Sequence, residues 1–259
     1  MRTTALALVA CILGVACSSS STSNPAAGTD ASADGATAGD SSTMDDGGSG
    51  DAAPDAPTNP CSGALATILG PIDQVTTGAV TMVSQMGGAR TVYVDATAGG
   101  FGNEGTHPRV YVNLETATRV DITDKQAPTS NAWDLAFKRP VIFTNDGDGG
   151  HGMGGSLMVA KAFDQVTMAD AVGTFATESF TEATCDPKVD GFGDMLTTMS
   201  SWYDYNQGTN KLTPKPTTTF IVRGATGKLY KVGFLDYYGN ATGGTGSASA
   251  NYLIQIAGL

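Results

Sequence analysis

The sequence predicts an all-β domain, mainly antiparallel, with at most one or two short helices. Three observations carry this expectation. Short runs alternate apolar with polar residues, turn-forming Gly, Asn and Asp separate them, and no series of helical repeats intervenes. Alternation places successive side chains on opposite faces of a strand, so each run can bury one face against a core. Residues 61–259 make up this domain, about 200 residues and enough for one substantial core.

The strands follow in order. Thr91–Val94 and Arg109–Leu114 alternate, and Thr118–Thr123 follows a turn at Glu115-Thr116. Trp133, Leu135 and Phe137 are expected on one face of a half-buried strand, with Asp134, Ala136 and Lys138 on the other. Pro140 ends that ladder because it has no N–H to donate. A glycine-rich loop comes after Phe143 and carries His151 and Met153; it is read as flexible, with Asn145-Asp146-Gly147-Asp148-Gly149 as a solvated turn. That run has the acidic spacing of a calcium loop without the downstream glutamate of an EF-hand. Ser156–Phe163 resumes the strand pattern. Phe220–Arg223 and Lys228–Phe234 flank Gly224-Ala225-Thr226-Gly227, a hairpin turn, and Tyr252–Ile256 closes the chain. One segment has helical spacing. Phe192, Met195, Leu196, Met199 and Tyr203 predict a short helix or helical turn capped by Asp190.

The N-terminus reads as an export signal, residues 1–16, with a basic start and an apolar run from Ala5 to Ala16. Gly14-Val15-Ala16-Cys17 resembles a bacterial lipobox, which makes Cys17 the expected lipid attachment site; Leu8-Val9-Ala10-Cys11 is the alternative. Residues 17–60 read as a disordered acidic tether of Ser, Ala, Gly and Asp, with seven aspartates and no lysine or arginine. Without those aspartates and Arg2, the domain keeps 18 acids and 13 bases, a net of −5 against −11 for the whole chain. A nucleic-acid partner would want a basic face, so none is expected. Cys61 and Cys185 remain for the domain, and in an exported chain they are expected to form a disulfide. His107, next to Pro108, reads as a surface turn residue. No serine elbow, HExxH, Walker loop or nucleotide fingerprint is present, which points to a binding protein rather than an enzyme.

Two stretches resemble the HmuY-like haem-binding lipoproteins (haemophores). One is Trp133-Asp134-Leu135-Ala136-Phe137-Lys138-Arg139 with Asn145-x-Gly147-x-x-Gly150-x-Gly152-x-Gly154-Gly155 and then Asp164-Gln165. The other is Phe220-Ile221-Val222-Arg223-Gly224-Ala225-x-Gly227 with Lys231-Val232-x-Phe234-x-Asp236-Tyr237. Thr91–Ala96 and Val120–Thr123 match more weakly, and the resemblance covers most of residues 80–256. It implies an all-β fold on a bacterial outer membrane, at the cell surface or facing the periplasm. It also implies a cleft that grips haem or a related tetrapyrrole between two axial side chains, and delivery of haem to an outer-membrane receptor for iron acquisition.

The resemblance places one ligand in the loop after Trp202-Tyr203-Asp204-Tyr205, where Gln207 occupies the aligned position. The other ligand falls within Thr181–Ser201, which holds Met195 and Met199 but no histidine. Haem iron takes nitrogen or sulfur ligands such as His or Met. The candidates for haem binding are therefore His151, Met153, Met195, Met199 and Gln207. The alternative is a domain of the same fold that has lost haem ligation and serves as a surface interaction or structural lipoprotein.

Overall fold

A computed structural model describes residues 59–259. The signal segment, Cys11, Cys17 and the tether lie outside the described residues. The chain opens with α1 (Ser62–Leu69), then β1 (Val80–Met86), β2 (Ala89–Asp95), β3 (Val110–Asn113), β4 (Thr118–Val120), β5 (Leu135–Lys138) and β6 (Val141–Thr144). It continues through β7 (Gly155–Val159), β8 (Tyr203–Asn206), β9 (Lys211–Pro214), β10 (Thr219–Arg223), β11 (Leu229–Asp236) and β12 (Asn251–Gly258). All ladder pairs are antiparallel. A six-stranded sheet runs β1-β2-β12-β11-β10-β7, a four-stranded sheet runs β4-β3-β5-β6, and β8 and β9 form a separate hairpin. The fold is all-β with one short α-helix, as expected. No helix among the described residues is long and apolar enough to cross a membrane.

The two larger sheets are held by one core. Val92 and Val94 of β2, Tyr252, Ile254 and Ile256 of β12, Val232 and Phe234 of β11, and Phe220 and Val222 of β10 meet Val110, Val112, Leu135, Phe137 and Ile142 from the four-stranded sheet. Each set follows the period of two, so the alternating face is the inner face. Trp202 packs into this core, its ring 5.1 Å from Phe234, 5.4 Å from Tyr237 and 5.3 Å from Tyr252. Full burial of such a ring is worth roughly 2–3 kcal/mol in transfer free energy. A second apolar cluster covers the opposite face of the four-stranded sheet. Tyr111, Trp133, Ala136, Phe143 and Phe180 form it, with Leu65 and Leu69 of α1 packed against it.

The strand runs read from alternation are all present, four of them shorter than expected: β3 loses one residue at each end, β5 begins only at Leu135, and two lose more at their C-terminal ends. The 118–123 run holds β4 only to Val120, and the 156–163 run ends at Val159, where Lys161 N–H bonds back to the Val159 carbonyl and Phe163 begins a 3-10 turn. Strands β1, β6 and β9 were not expected. β1 is an edge strand with most side chains exposed, so it carries no alternation to read.

Three expectations are corrected. Trp133 does not share a face with Leu135 and Phe137, and the strand is not half-buried but covered on both faces. The pleat begins at Leu135. Asp134 turns its side chain inward to accept N–H bonds from Leu114 at 2.7 Å and Ala225 at 2.8 Å, which breaks the phase between Trp133 and Leu135. The helix over Phe192–Tyr203 is absent. Asp190 Oδ1 instead accepts from the N–H groups of Phe192 and Asp194, Val189 pairs with Met195, and only Ser200–Trp202 makes a 3-10 turn. A side chain bonding its own backbone competes with a helix, and here the turn wins. The 145–149 turn is solvated only at Gly147 and Asp148. Asn145 is 0% exposed and Asp146 4%.

Candidate functional site

The glycine loop is pinned rather than flexible, and Asn145 is its hub. Its Nδ2 donates to the carbonyls of Ser130 and Trp133 at 2.8 and 2.9 Å, and its Oδ1 accepts from Gly152 N–H at 3.2 Å. The Asn145 backbone adds a bond to Asp134 O and another from Gly154 N–H. A Cβ at Gly150 would stand 2.1 Å from Asn145 Oδ1, so glycine there is a packing requirement. Arg223 Nε and Nη2 hold the end of the loop through Gly154 O, and Met153 N–H bonds to Ala225 O. Beneath the loop, Glu178 accepts from Thr144 N–H and from Thr198 N–H and hydroxyl. Burial pushes the pKa of Glu178 up, and Asp146 beside it is raised for the same reason.

A cleft of about 680 Å³ among the described residues lies elsewhere. It is built from the C-terminal end of α1, the Arg139-Pro140 turn between β5 and β6, the irregular segment 187–195, the β8–β9 hairpin and the Tyr237-Tyr238 corner after β11. Its size is that of a small-molecule or cofactor site. Tyr205, Tyr237, Tyr238, Leu212 and Met195 give it aromatic and apolar walls, and Arg109, Lys138 and Arg139 give it positive charge. Burial, and then the charge of Arg109, lowers the Lys138 ammonium to about 8. Asp194 is shifted up by burial and by Asp190. Arg139 holds a left-handed φ of 52°, supported by its N–H on Ala96 O, its Nη1 on Ser249 and its carbonyl taking the Tyr252 hydroxyl at 2.6 Å. Two buried polar atoms in the cleft walls have no partner, Glu104 Oε2 and Arg109 Nε. A native fold rarely leaves such groups unpaired, and they mark a place where a polar ligand group fits.

The expected site residues are not gathered in one place. Met195 lines the cleft. Gln207 sits exposed at the tip of the β8–β9 hairpin, whose Tyr205 and Leu212 reach the cleft. Met199 is 0% exposed in the inter-sheet core. His151 and Met153 lie on the surface of the glycine loop, His151 Nδ1 being 3.1 Å from Pro128 O. His107 closes a 3-10 turn with its Nδ1 3.0 Å from Asn103 O. Cys61 and Cys185 form a disulfide that ties the start of α1 to the 181–199 region. Arg109, Lys138 and Tyr237 were not singled out from the sequence. A charge at Arg109, on the same face as Tyr111 in an apolar strand, was the available signal.

The cleft combines aromatic and apolar walls with three cationic side chains and two acidic ones, Glu104 and Asp194. Haem fits the residues present. A methionine thioether and tyrosine phenols are donors that iron accepts, and the cationic side chains match carboxylates. Met195 would face the iron, and Arg109, Lys138 and Arg139 would hold the carboxylates. Bound haem would supply an iron centre open to ligand exchange.

The chain matches the family described as HmuY protein over residues 106–252. Among solved structures it is similar to a protein from Bacteroides vulgatus described as HmuY-like and haem-binding, at 18% identity and TM-score 0.45, covering 69% of this chain and 96% of that one. It is also similar to a protein from Bacteroides fragilis described as a lipoprotein, at 17% identity and TM-score 0.42, covering 69% and 94%. A third is the apo HmuY analogue of Tannerella forsythia, at 16% identity and TM-score 0.43, covering 65% and 95%. No curated protein matches the chain.

Proposed function

The chain belongs to the HmuY family, and from that premise we propose that it binds haem or a related tetrapyrrole in the cleft beside Met195. The observation that carries this reading is the meeting, in one cavity, of a thioether, three tyrosines and three cationic side chains. Such a wall takes the apolar face of a macrocycle on one side and its carboxylates on the other. Met195 is the axial ligand in this reading. Gln207 stands near the rim, and His151 and Met153 serve the scaffold. The same reading makes the protein an exported lipoprotein, anchored through Cys17 to the outer membrane, that acquires haem and passes it to a membrane receptor. Titration of the protein with haemin, followed at the Soret band, tests the first part. A saturable 1:1 spectral shift supports it, and an unsaturable, non-specific change overturns it. Labelling with a radioactive fatty acid, abolished by Cys17→Ser and kept by Cys11→Ser, tests the anchor.

A second reading is favoured by one observation. Neither histidine lines the cleft, and Met199 is buried in the core. In that reading the domain is a surface interaction lipoprotein without haem. Recovery of an envelope protein by the intact chain, with no tetrapyrrole in the complex, would support it.

A further inference from the structure

A second cavity of about 310 Å³ shares Arg109 and Leu69 with the cleft. It lies between α1 and the outer face of the four-stranded sheet, with Leu65, Leu69, Tyr111 and Phe143 as its apolar walls. At under half the volume of the cleft, it is too small for a macrocycle. Arg109 is its one deeply buried cation, 6% exposed, with its guanidinium carbon 5.5 Å from the Phe143 ring centroid.

The hydrogen bonds of that guanidinium are confined to one nitrogen. Nη1 donates to Leu69 O at 2.8 Å and reaches Asp124 Oδ2 at 3.4 Å. Nε is buried and has no partner. Asp124 cannot turn to complete the fork, because its oxygens already accept from Arg109 N–H, Tyr111 hydroxyl and Ile72 N–H. The Nε edge of an arginine, with the adjacent Nη2, matches the two oxygens of a carboxylate. A buried charged donor left without an acceptor is costly, so an anion supplied from outside relieves it.

We propose that the pocket beneath α1 binds a small apolar monocarboxylic acid, its tail against Leu65 and Phe143 and its carboxylate on the free edge of Arg109. The pocket shares Arg109 with the haem cleft, but binding of the acid needs no haem, so this proposal and the haem reading fail in different titrations. Isothermal titration of the full chain with decanoate, below its micellar concentration, and with 1-decanol as the uncharged control, tests it. Decanoate binds 1:1 and at least tenfold more tightly than decanol. Ala66→Trp fills the pocket from an exposed position of α1 and weakens decanoate at least tenfold, with the thermal midpoint unchanged. Arg109→Lys removes the fork and lowers the preference for decanoate; because Arg109 is also buried structure, the Ala66 variant carries the decision. Equal binding of acid and alcohol, no saturable binding, or full binding by Ala66→Trp overturns the proposal. Loss in Met195→Ala with full binding by Ala66→Trp would move the acid to the cleft and overturn it too.

Discussion

The glycine loop and the 181–199 segment face the same domain with opposite designs. The loop, 144–155, is tied through one hub: the Asn145 side chain and backbone bond five other residues, two in the loop and three in the 130–134 segment, and glycines admit the close approach. The 181–199 segment has no regular element, only isolated bridges at Thr181 with Pro187 and Val189 with Met195, and it is fixed from outside by a disulfide and by the Glu178 network. The first region makes the scaffold, and the second lines the cleft. A loop tied through one hub specifies a fold tightly, and its exposed His151 and Met153 do not line the cleft. An irregular segment clamped at its edges keeps side chains such as Met195 available.

Breaking the clamp should give the largest effect. Replacing Cys61 and Cys185 by Ser frees a loop closed over a separation of 124 residues, and loop entropy at that length is worth about 5 kcal/mol. Urea unfolding should show that loss, with the cleft segment protected less than the glycine loop in amide exchange. A uniform loss of protection would erase the contrast between the two regions. Next comes Asn145→Asp, equal in shape but with no donors for Ser130 O and Trp133 O. A destabilisation of about 3–5 kcal/mol follows from a buried, unpaired charge, and a change under about 1 kcal/mol would mean that the amide is not the hub.

Met195→Ala should act the other way. Met195 is only partly buried against the outer cluster, so stability falls by about 1 kcal/mol or less, while haemin affinity falls at least tenfold, about 1.4 kcal/mol. A stability loss without a change in the Soret titration would return Met195 to the scaffold. The smallest effect is a pH dependence. Asp146 and Glu178 are raised by burial above their ordinary values of 3.8 and 4.5. A carboxyl with a raised folded pKa holds its proton more tightly when native, so its stabilising contribution is complete below the ordinary value and declines as pH rises through the folded one. Asp146→Asn removes one such decline. The stability difference between variant and parent should therefore shift in favour of the variant from pH 4 to pH 7, and a difference that stays flat would show that Asp146 is not held protonated.

The two regions also differ in how far they could be read from sequence. The runs behind β2, β3 and β10 to β12 are short apolar and β-branched stretches bounded by turn residues, so they are legible even where both faces are buried, as in β3, β10 and β12, and Gly224 to Gly227 marks its hairpin directly. The glycine spacing was visible, but its rigidity was not. That depends on Asn145 meeting Ser130 and Trp133, contacts that no local pattern encodes. Trp133 misled because Asp134 leaves the pleat to serve Leu114 and Ala225, residues distant in sequence. In the 181–199 segment the helical spacing of Met195 and Met199 was accidental. One side chain ends in the cleft wall and the other in the inter-sheet core. Arg109, Lys138 and Tyr237 come from three places in the chain, and only the folded sheets bring them to one cavity.

The disulfide also sets an order of events. A chain made from its N-terminus produces Cys61 long before Cys185, which follows 124 residues later. At the usual 5–20 residues per second that interval is roughly 6–25 s. For all of it, Cys61 is an unmatched thiol at the head of a helix not yet tied to the middle of the chain. The first element to be synthesised is thus among the last to be secured, and the larger cleft that α1 helps to wall is completed only when the middle of the chain returns to its beginning.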